Sequence, residues 1–471
     1  MKILKKIILI LIILLAAYIC FFKLNSSSLE NWDEAWYGDV IRNMMRTKNF
    51  IVLFHNRTVF LDKPPLLIWL GTIFSSILGL SELSVRLTSA LAGFLTIILV
   101  CRFVNKKWGL IPTIISFGTL TLNNVFIWRT RSGNIDALVT LLIFLIFLVI
   151  VSKHKHKYFI LGFLFAAVYL AKASLVVFPM LVFALSEFLY ERRLILKRIP
   201  KYMLMMIIAI LLCGVWLYLG DRQIGTRFSN YYLFQSDQNV VQISLKTFKT
   251  DYFLFAYYSL QRRFTYLLLF GLILLIAKIK EKQSFLILSF SLWLVLLLSF
   301  TERNNNWYLM PSMPFWSISI GYATYWLINF FKKYSIVIIG FLTVCGYIFF
   351  KTFTVNILPI INTISTKSQT EAAKYIKENT KFDEIIITMD EEYPTTIFYS
   401  DRKVYAFSAN SGISNLFIGR EDLKKLMDQK KLHWFVGSKD KAETFAKEFL
   451  NGYEYKTVFS NDDEVVYKVI Y

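Results

Sequence analysis

Acid is scarce in most of this chain. The first 355 of its 471 residues hold 14 Asp and Glu against 37 Lys and Arg, while the remainder holds 18 against 16. The formal net charge of +21 is therefore +23 in the long first part and −2 in the tail. A basic excess confined to an apolar segment is accounted for by loop lysines that set membrane orientation and meet anionic lipid, so nucleic acid is not expected as a partner. Cysteine is scarce too. Its four copies, Cys20, Cys101, Cys213 and Cys345, all fall in apolar runs without metal-ligand spacing, so they read as inert buried thiols. The four histidines carry no metal signature, and His154 and His156 sit in a lysine run. The tail lacks a Gly-rich phosphate loop and a nucleophile elbow, and no internal repeat is evident.

What the chain has in abundance is long apolar sequence. It is 56% hydrophobic, with a mean hydropathy of +0.50. Such runs define a polytopic α-helical membrane protein. The first run, Ile7 to Phe22, follows Lys2, Lys5 and Lys6 and lacks a clear cleavage site, so an uncleaved first span is expected. Lysine and arginine clusters place cytoplasmic turns at 106–107, 153–157, 192–201, 278–282 and 332–333. Crossings are then expected at 7–24, 84–104, 108–127, 134–152, 158–172, 173–190, 201–220, 262–278, 283–300, 310–331 and 335–355. Residues 66–80 read as an interfacial or re-entrant helix, which gives about 11–13 membrane helices in all. Two domains follow: 1–355 in the membrane, with an outer loop at 25–65, and 356–471 as a small extracytoplasmic α/β domain. In that tail, helices are expected at 365–379, 420–429 and 439–450. Strands are expected at 384–389, twice within 396–407, at 433–436, and in a hairpin at 453–459 and 464–470.

The polar residues with chemical potential lie on the outer face of this topology. Five of the 14 acids of the membrane part, Glu30, Asp33, Glu34, Asp39 and Asp62, crowd into the first outer loop. Carboxylates at a membrane surface are functional candidates. Pro64 and Pro65 end any helix and hold Lys63 just before an apolar run, a suitable place for a phosphate ligand. Arg129 and Arg131 run against the positive-inside trend and call for an anion, and Asp136 opens an apolar span where it also suits the helix N-terminus. Lys172, Arg262 with Arg263, and Glu302 with Arg303 occupy similar outer positions, where each alone is also a snorkelling anchor. Residues 221–261 form an aromatic-rich outer segment suited to covering a lipid or a sugar.

Three stretches, Trp32-Asp33-Glu34, Asp62 to Leu70 and Ser84 to Ala90, resemble the bacterial aminoarabinose transferase and protein O-mannosyltransferase superfamily of GT-C membrane glycosyltransferases. Arg131 to Asp136 and Ala171-Lys172-Ala173 follow in the same order. The resemblance covers about residues 1–355. It implies a polyprenyl-phosphate-linked sugar donor, an extracytoplasmic acceptor and an integral protein of the bacterial inner membrane. It further implies Asp33 as the catalytic base, supported by Glu34 and Asp136. Lys63, with Arg129, Arg131, Lys172, Arg262 and Arg263, would grip the donor phosphate. Ala173 stands where the family has a glycine after the lysine.

The implied reaction is inverting transfer to a hydroxyl or similar nucleophile. A phosphate leaving group needs cations rather than a general acid, and the acceptor needs a base. No cofactor is required on this reading, although Asp33, Glu34 and Asp136 can together hold a divalent cation. The competing reading is a polytopic transporter or lipid flippase, which accounts for the spans but poorly for the outer-loop motif and the α/β tail.

Overall fold

A computed structural model of the chain describes residues 2–235, 248–302, 304–363, 367–391, 393–409, 414 and 416–471. Arg303 and residues 236–247 of the expected aromatic segment lie outside the described residues. The chain opens with α1 (Lys2–Phe21), α2 (Asp33–Thr47), a hairpin of β1 (Leu53–His55) and β2 (Thr58–Phe60), α3 (Leu66–Leu78) and α4 (Glu82–Trp108). It continues through α5 (Leu110–Thr121), α6 (Asn124–Arg131), α7 (Asp136–Val151), α8 (Lys157–Ala171), α9 (Val177–Tyr190) and α10 (Ile195–Ile224). Next come α11 (Arg227–Asn230), α12 (Asp251–Ser259), α13 (Arg263–Ala277), α14 (Lys282–Leu298), α15 (Met313–Phe330), α16 (Ser335–Thr352) and α17 (Leu358–Asn362).

Among the described residues, five helical segments are long and apolar enough to cross a membrane: Ile3–Phe21, Glu82–Trp108, Ala173–Tyr190, Arg192–Ile224 and Ser335–Asn362. The count reaches seven if each of two bent pairs is one span. These pairs are α5 with α6, bent by 67°, and α12 with α13, bent by 109°. The expected straight crossing at 108–127 is thus a broken one, and the described residues of the segment at 221–261, expected on the outer side, are partly helical. Four shorter apolar helices, α3, α7, α8 and α14, accompany these spans. Ten of the eleven expected crossings coincide with these long, bent or short apolar helices, and the one expected at 310–331 coincides with α15, which is in none of these groups. The 13 residues of α3 rise about 20 Å, short of a roughly 30 Å hydrocarbon core.

The chain divides into two compact units that are not sequential halves. The first contains residues 1–24, 61–67 and 87–362. Its centre is a ring cluster in which Phe290 stacks on Phe315 at 4.8 Å and Phe147 meets Phe315 edge-on at 5.1 Å. Close helix approach replaces bulk elsewhere. A Cβ at Gly271 would stand 2.3 Å from the Ser319 carbonyl, so α13 and α15 touch through backbone there.

The second unit contains residues 25–60, 68–86 and 363–471, so most of the first outer loop groups with the tail. The tail adds α18 (Ser368–Asn379), β3 (Ile385–Thr388), α19 (Pro394–Ser400), β4 (Lys403–Phe407), β5 (Phe417–Ile418), α20 (Arg420–Asp428), β6 (Trp434–Ser438), α21 (Lys439–Phe445), β7 (Glu454–Ser460) and β8 (Glu464–Ile470). Its sheet has the order β5-β4-β3-β6-β8-β7. The β5, β4, β3 and β6 strands run parallel, and β8 and β7 are added antiparallel. Two strands were expected within 396–407, but Pro394–Ser400 is helical and only β4 follows. Proline suits the first helical turn. The helix is also held by packing: a Cβ on Gly38 of α2 would meet the Phe398 ring at 2.9 Å. That tertiary fit overrides the β-preference of Thr395, Thr396 and Ile397.

Candidate active-site clusters

In the second unit, α2 presents its acids in sharply different settings. Trp32, immediately before the helix, has a φ of 65°. For a bulky residue this left-handed backbone is strained, and such strain gathers at functional sites. Trp32 is exposed and packs edge-on against Trp36 and Tyr393. Asp33 follows as the first residue of α2 and is half-buried. Glu34 is buried and takes both arms of Arg86, at 2.7 Å from Nε and 2.9 Å from Nη2. It also accepts from the Glu30 amide at 2.8 Å, and Arg86 closes its remaining donors on the carbonyls of Ser27 and Ser28.

Asp39 lies one turn further on. It pairs with Arg42, sits 2.9 Å from His55 Nδ1 and accepts the Asn56 amide at 2.7 Å. Burial opposes its charge, but Arg42, His55 and that amide prevail and hold the carboxyl well below the usual range. Asn56 and Arg57 form the two-residue turn of the hairpin with φ of 49° and 62°, as a type I′ turn requires. Asn56 then binds both backbone groups of Val404, at 2.7 and 3.0 Å. Asp39 therefore organises the hairpin. Arg42, His55 and Arg86 were not among the candidates named from sequence. The legible signal for Arg86 was an arginine in the first turn or so of an apolar helix.

In the first unit, three candidates converge. Arg129 donates to Asp136 from Nε at 2.8 Å and from Nη2 at 2.5 Å. Lys172 Nζ lies 3.8 Å from the other oxygen of Asp136. Asn134 fixes the turn by accepting the Asp136 amide at 2.9 Å and donating to the Arg129 carbonyl at 2.7 Å. Aromatic faces meet both cations. The Arg129 guanidinium lies 5.1 Å from the Trp307 ring centre and Lys172 Nζ lies 4.5 Å from that of Tyr308. Lys172 sits in extended backbone between α8 and the following turn, so the helix ends where the charge is needed.

The other cations are placed differently. Lys63 Nζ is 2.6 Å from its neighbour Asp62, and Tyr232 donates to the Lys63 carbonyl at 3.0 Å. Tyr232 is itself packed against Trp216 at 4.6 Å and Phe228 at 5.1 Å, so part of the aromatic segment braces the lysine turn. Arg131 donates to the carbonyls of Ile19, Phe22 and Ile361, which ties down the end of α1. Arg262 and Arg263 line a cavity of about 340 Å³ together with Gln261, Lys351 and Asn356. Gln261 and Arg262 both have positive φ, at 55° and 60°, in the sharp bend before α13. Among the described residues no group of three or more His, Cys, Asp or Glu is placed to hold a metal ion.

Comparison with known proteins places this architecture. Residues 62–218 match the family model described as dolichyl-phosphate-mannose-protein mannosyltransferase. That segment contains Lys63, Arg129, Asp136 and Lys172, and excludes Asp33 and Glu34. An uncharacterised protein of Aquifex aeolicus is 31% identical over 128 residues, which is 27% of this chain and 25% of that protein. An undecaprenyl phosphate-α-4-amino-4-deoxy-L-arabinose arabinosyl transferase of Shewanella sediminis is 27% identical over 112 residues, 23% of this chain and 20% of that one. The chain thus spans about a quarter or less of the curated relatives it matches. The fold likeness reaches much further. ArnT from Cupriavidus metallidurans, solved with undecaprenyl phosphate bound, superposes with a TM-score of 0.77 at 14% identity over 98% of this chain and 97% of that one.

The chain is an integral membrane protein with a GT-C fold and a small C-terminal sheet region. Within that class its fold is the one seen in ArnT, from the first helix to the closing hairpin.

Proposed function

We propose that this protein is a membrane glycosyltransferase that moves a sugar from a polyprenyl-phosphate donor to an extracytoplasmic acceptor. The observation that carries the reading is the likeness of fold, along nearly the whole of both chains, to a protein solved with undecaprenyl phosphate bound. The local match to a mannosyltransferase model over the segment that holds Arg129, Asp136 and Lys172 supports it. A transporter would not need the α/β tail that this fold shares.

In the proposed reaction the anomeric carbon is attacked once and inverts. The leaving group is a polyprenyl phosphate, so cations stabilise the departing charge and no acid has to protonate it. Lys63, Lys172 and Arg129 are assigned to the phosphate, with Arg262 and Arg263 as further contacts. Arg131 is assigned to holding α1. Asp33 removes the acceptor proton as the new bond forms. Glu34 holds Asp33 in place through the Arg86 clamp, and Asp136 positions Arg129 and Lys172. The membrane confines the carrier lipid, which supplies orientation. No cofactor is required in this scheme. The site and the C-terminal domain lie outside the bacterial inner membrane. Supporting that orientation, the basic turns at 106–107, 153–157, 198–201 and 282 gather around adjoining cavities at the end of α7 remote from Asp136.

The test compares cell-envelope glycans by mass spectrometry with and without the protein. A sugar modification should vanish in its absence, return with the native chain and stay absent with Asp33→Asn at equal membrane abundance. Unchanged glycans in the deletion, or full restoration by Asp33→Asn, would refute the assignment.

A further inference from the structure

The other end of α7 and α8 carries a second cluster that the proposed reaction does not use. A cavity of about 450 Å³ there is lined by Lys153, Lys155, Lys157, Arg198, Lys201 and Lys282. It adjoins a cavity of about 510 Å³ through Ser152, Lys153 and Gln283, and the second adds Arg102, Lys106 and Lys107. Glu191 is the one acid in either lining.

Beneath the basic cavity lies Glu187, 3% exposed. It takes Lys282 at 2.6 Å, Arg198 at 2.8 Å and the Tyr202 hydroxyl at 2.7 Å. Glu187 and Tyr202 also line a third cavity, of about 450 Å³, whose other walls include Phe165, Phe183, Met205 and Met206. Glu187 therefore lines the apolar chamber while holding two of the cations that line the basic one. The outer faces of the helices around the apolar chamber are themselves apolar, with Phe188, Leu189, Leu196 and Met203 more than half exposed, as in a wall that faces lipid.

We infer that these chambers form a binding site for an anionic diacyl phospholipid. Its phosphate would lie among Lys153, Lys155 and Lys201 while an acyl chain fills the apolar chamber. Glu187 orients Arg198 and Lys282 and offsets their mutual repulsion. Charge argues for an anion, because nine cations face one acid in the two basic linings. The adjoining apolar chamber argues for an amphiphile rather than a free ion. The site stands independently of the proposed transferase reaction.

The test uses the full chain, purified in detergent, stripped of lipid and titrated with phosphatidylglycerol, phosphatidylcholine or inorganic phosphate. Occupancy is read by native mass spectrometry and stability by thermal unfolding. Phosphatidylglycerol should bind one saturable site and raise the melting temperature, and phosphatidylcholine should do neither at the same concentration. The combined variant K153Q/K155Q/K201Q should weaken phosphatidylglycerol by about fivefold per lysine removed, whereas the corresponding triple arginine variant keeps it. Ala184→Trp, at the wall of the apolar chamber, should weaken the lipid and leave the lysines in place. Equal binding of phosphatidylcholine, or undiminished affinity in the glutamine variant, would overturn the proposal. So would inorganic phosphate matching the lipid while Ala184→Trp changes nothing, which would mean a free-anion site.

Discussion

Both α2 and α7 open on an aspartate, and the two aspartates are held differently. Asp136, at the start of α7, is 5% exposed and takes two donors of Arg129, with Lys172 beyond. Asp33, at the start of α2, is half-buried, and the two-armed arginine goes to the next residue, Glu34. A carboxylate that receives charge-assisted hydrogen bonds is fixed in place by them and in turn fixes its donors. The contrast matches the proposed roles, in which Asp136 positions the two cations and Asp33 acts as the base, although both look alike as acids opening a helix.

The widest separation should appear in turnover. Asp33→Asn should lower kcat by roughly 10²–10⁴-fold, the range a general base contributes. Asp136→Asn should act mainly on donor KM and lower kcat less. Steady-state kinetics with a polyprenyl-phosphate sugar would check this, and a larger loss of kcat in Asp136→Asn than in Asp33→Asn would reverse the two roles.

Next comes the clamp itself. Arg86→Ala leaves Glu34 buried without its guanidinium, an arrangement that costs about 3–5 kcal/mol. Arg129→Ala leaves Asp136 with Lys172 and should cost less. Chemical unfolding of the two variants side by side would show whether the α2 clamp is the stronger one. A smaller effect is expected at Lys172. Lys172→Ala should raise donor KM by about tenfold, or roughly 1.4 kcal/mol, with kcat changed less. Lys172→Arg should recover part of it, since the charge remains over Tyr308.

Much of this was legible in the sequence because hydrophobic runs and isolated charges are local signals. The spans, the parallel core strands and the individual residues Arg129, Asp136 and Lys172 could be named one at a time. Their meeting could not, since it depends on α8 returning along α7 to bring position 172 beside position 136. Arg86 lay inside a recognised stretch without standing out, because its meaning comes from Glu34, 52 residues earlier in the chain. Thr396 to Tyr399 read as strand because β-branched and aromatic residues favour one, and contact with Gly38 favours the helix instead. The grouping of the first outer loop with the tail was illegible for the same reason: Asn56 reaches Val404 across 348 positions of sequence.

The comparison is sharpened last by a carboxylate with no cation to hold it. Glu464, at the start of β8, is 7% exposed, and its Oε2 has no hydrogen-bond partner among the described residues. Burial, with Asp390 and Asp463 nearby, pushes its carboxyl up to about 8. In the unfolded chain the same group titrates near 4.3. Between those values the folded state keeps a proton that the unfolded state has lost. Its contribution to stability is thus complete below about pH 4.3 and disappears as pH rises through 8. Glu464→Gln should flatten this slope and raise the melting temperature at pH 8 more than at pH 5. Asp39, held in its charged form by Arg42 and His55, should give the opposite sign, losing stability as acid protonates it. Melting curves of the native chain and Glu464→Gln between about pH 4 and 8, and of the native chain and Asp39→Asn as pH falls below about 4, would show each variant removing a slope of opposite sign, and slopes of the same sign would mean that neighbouring cations do not govern how this chain holds its buried acids.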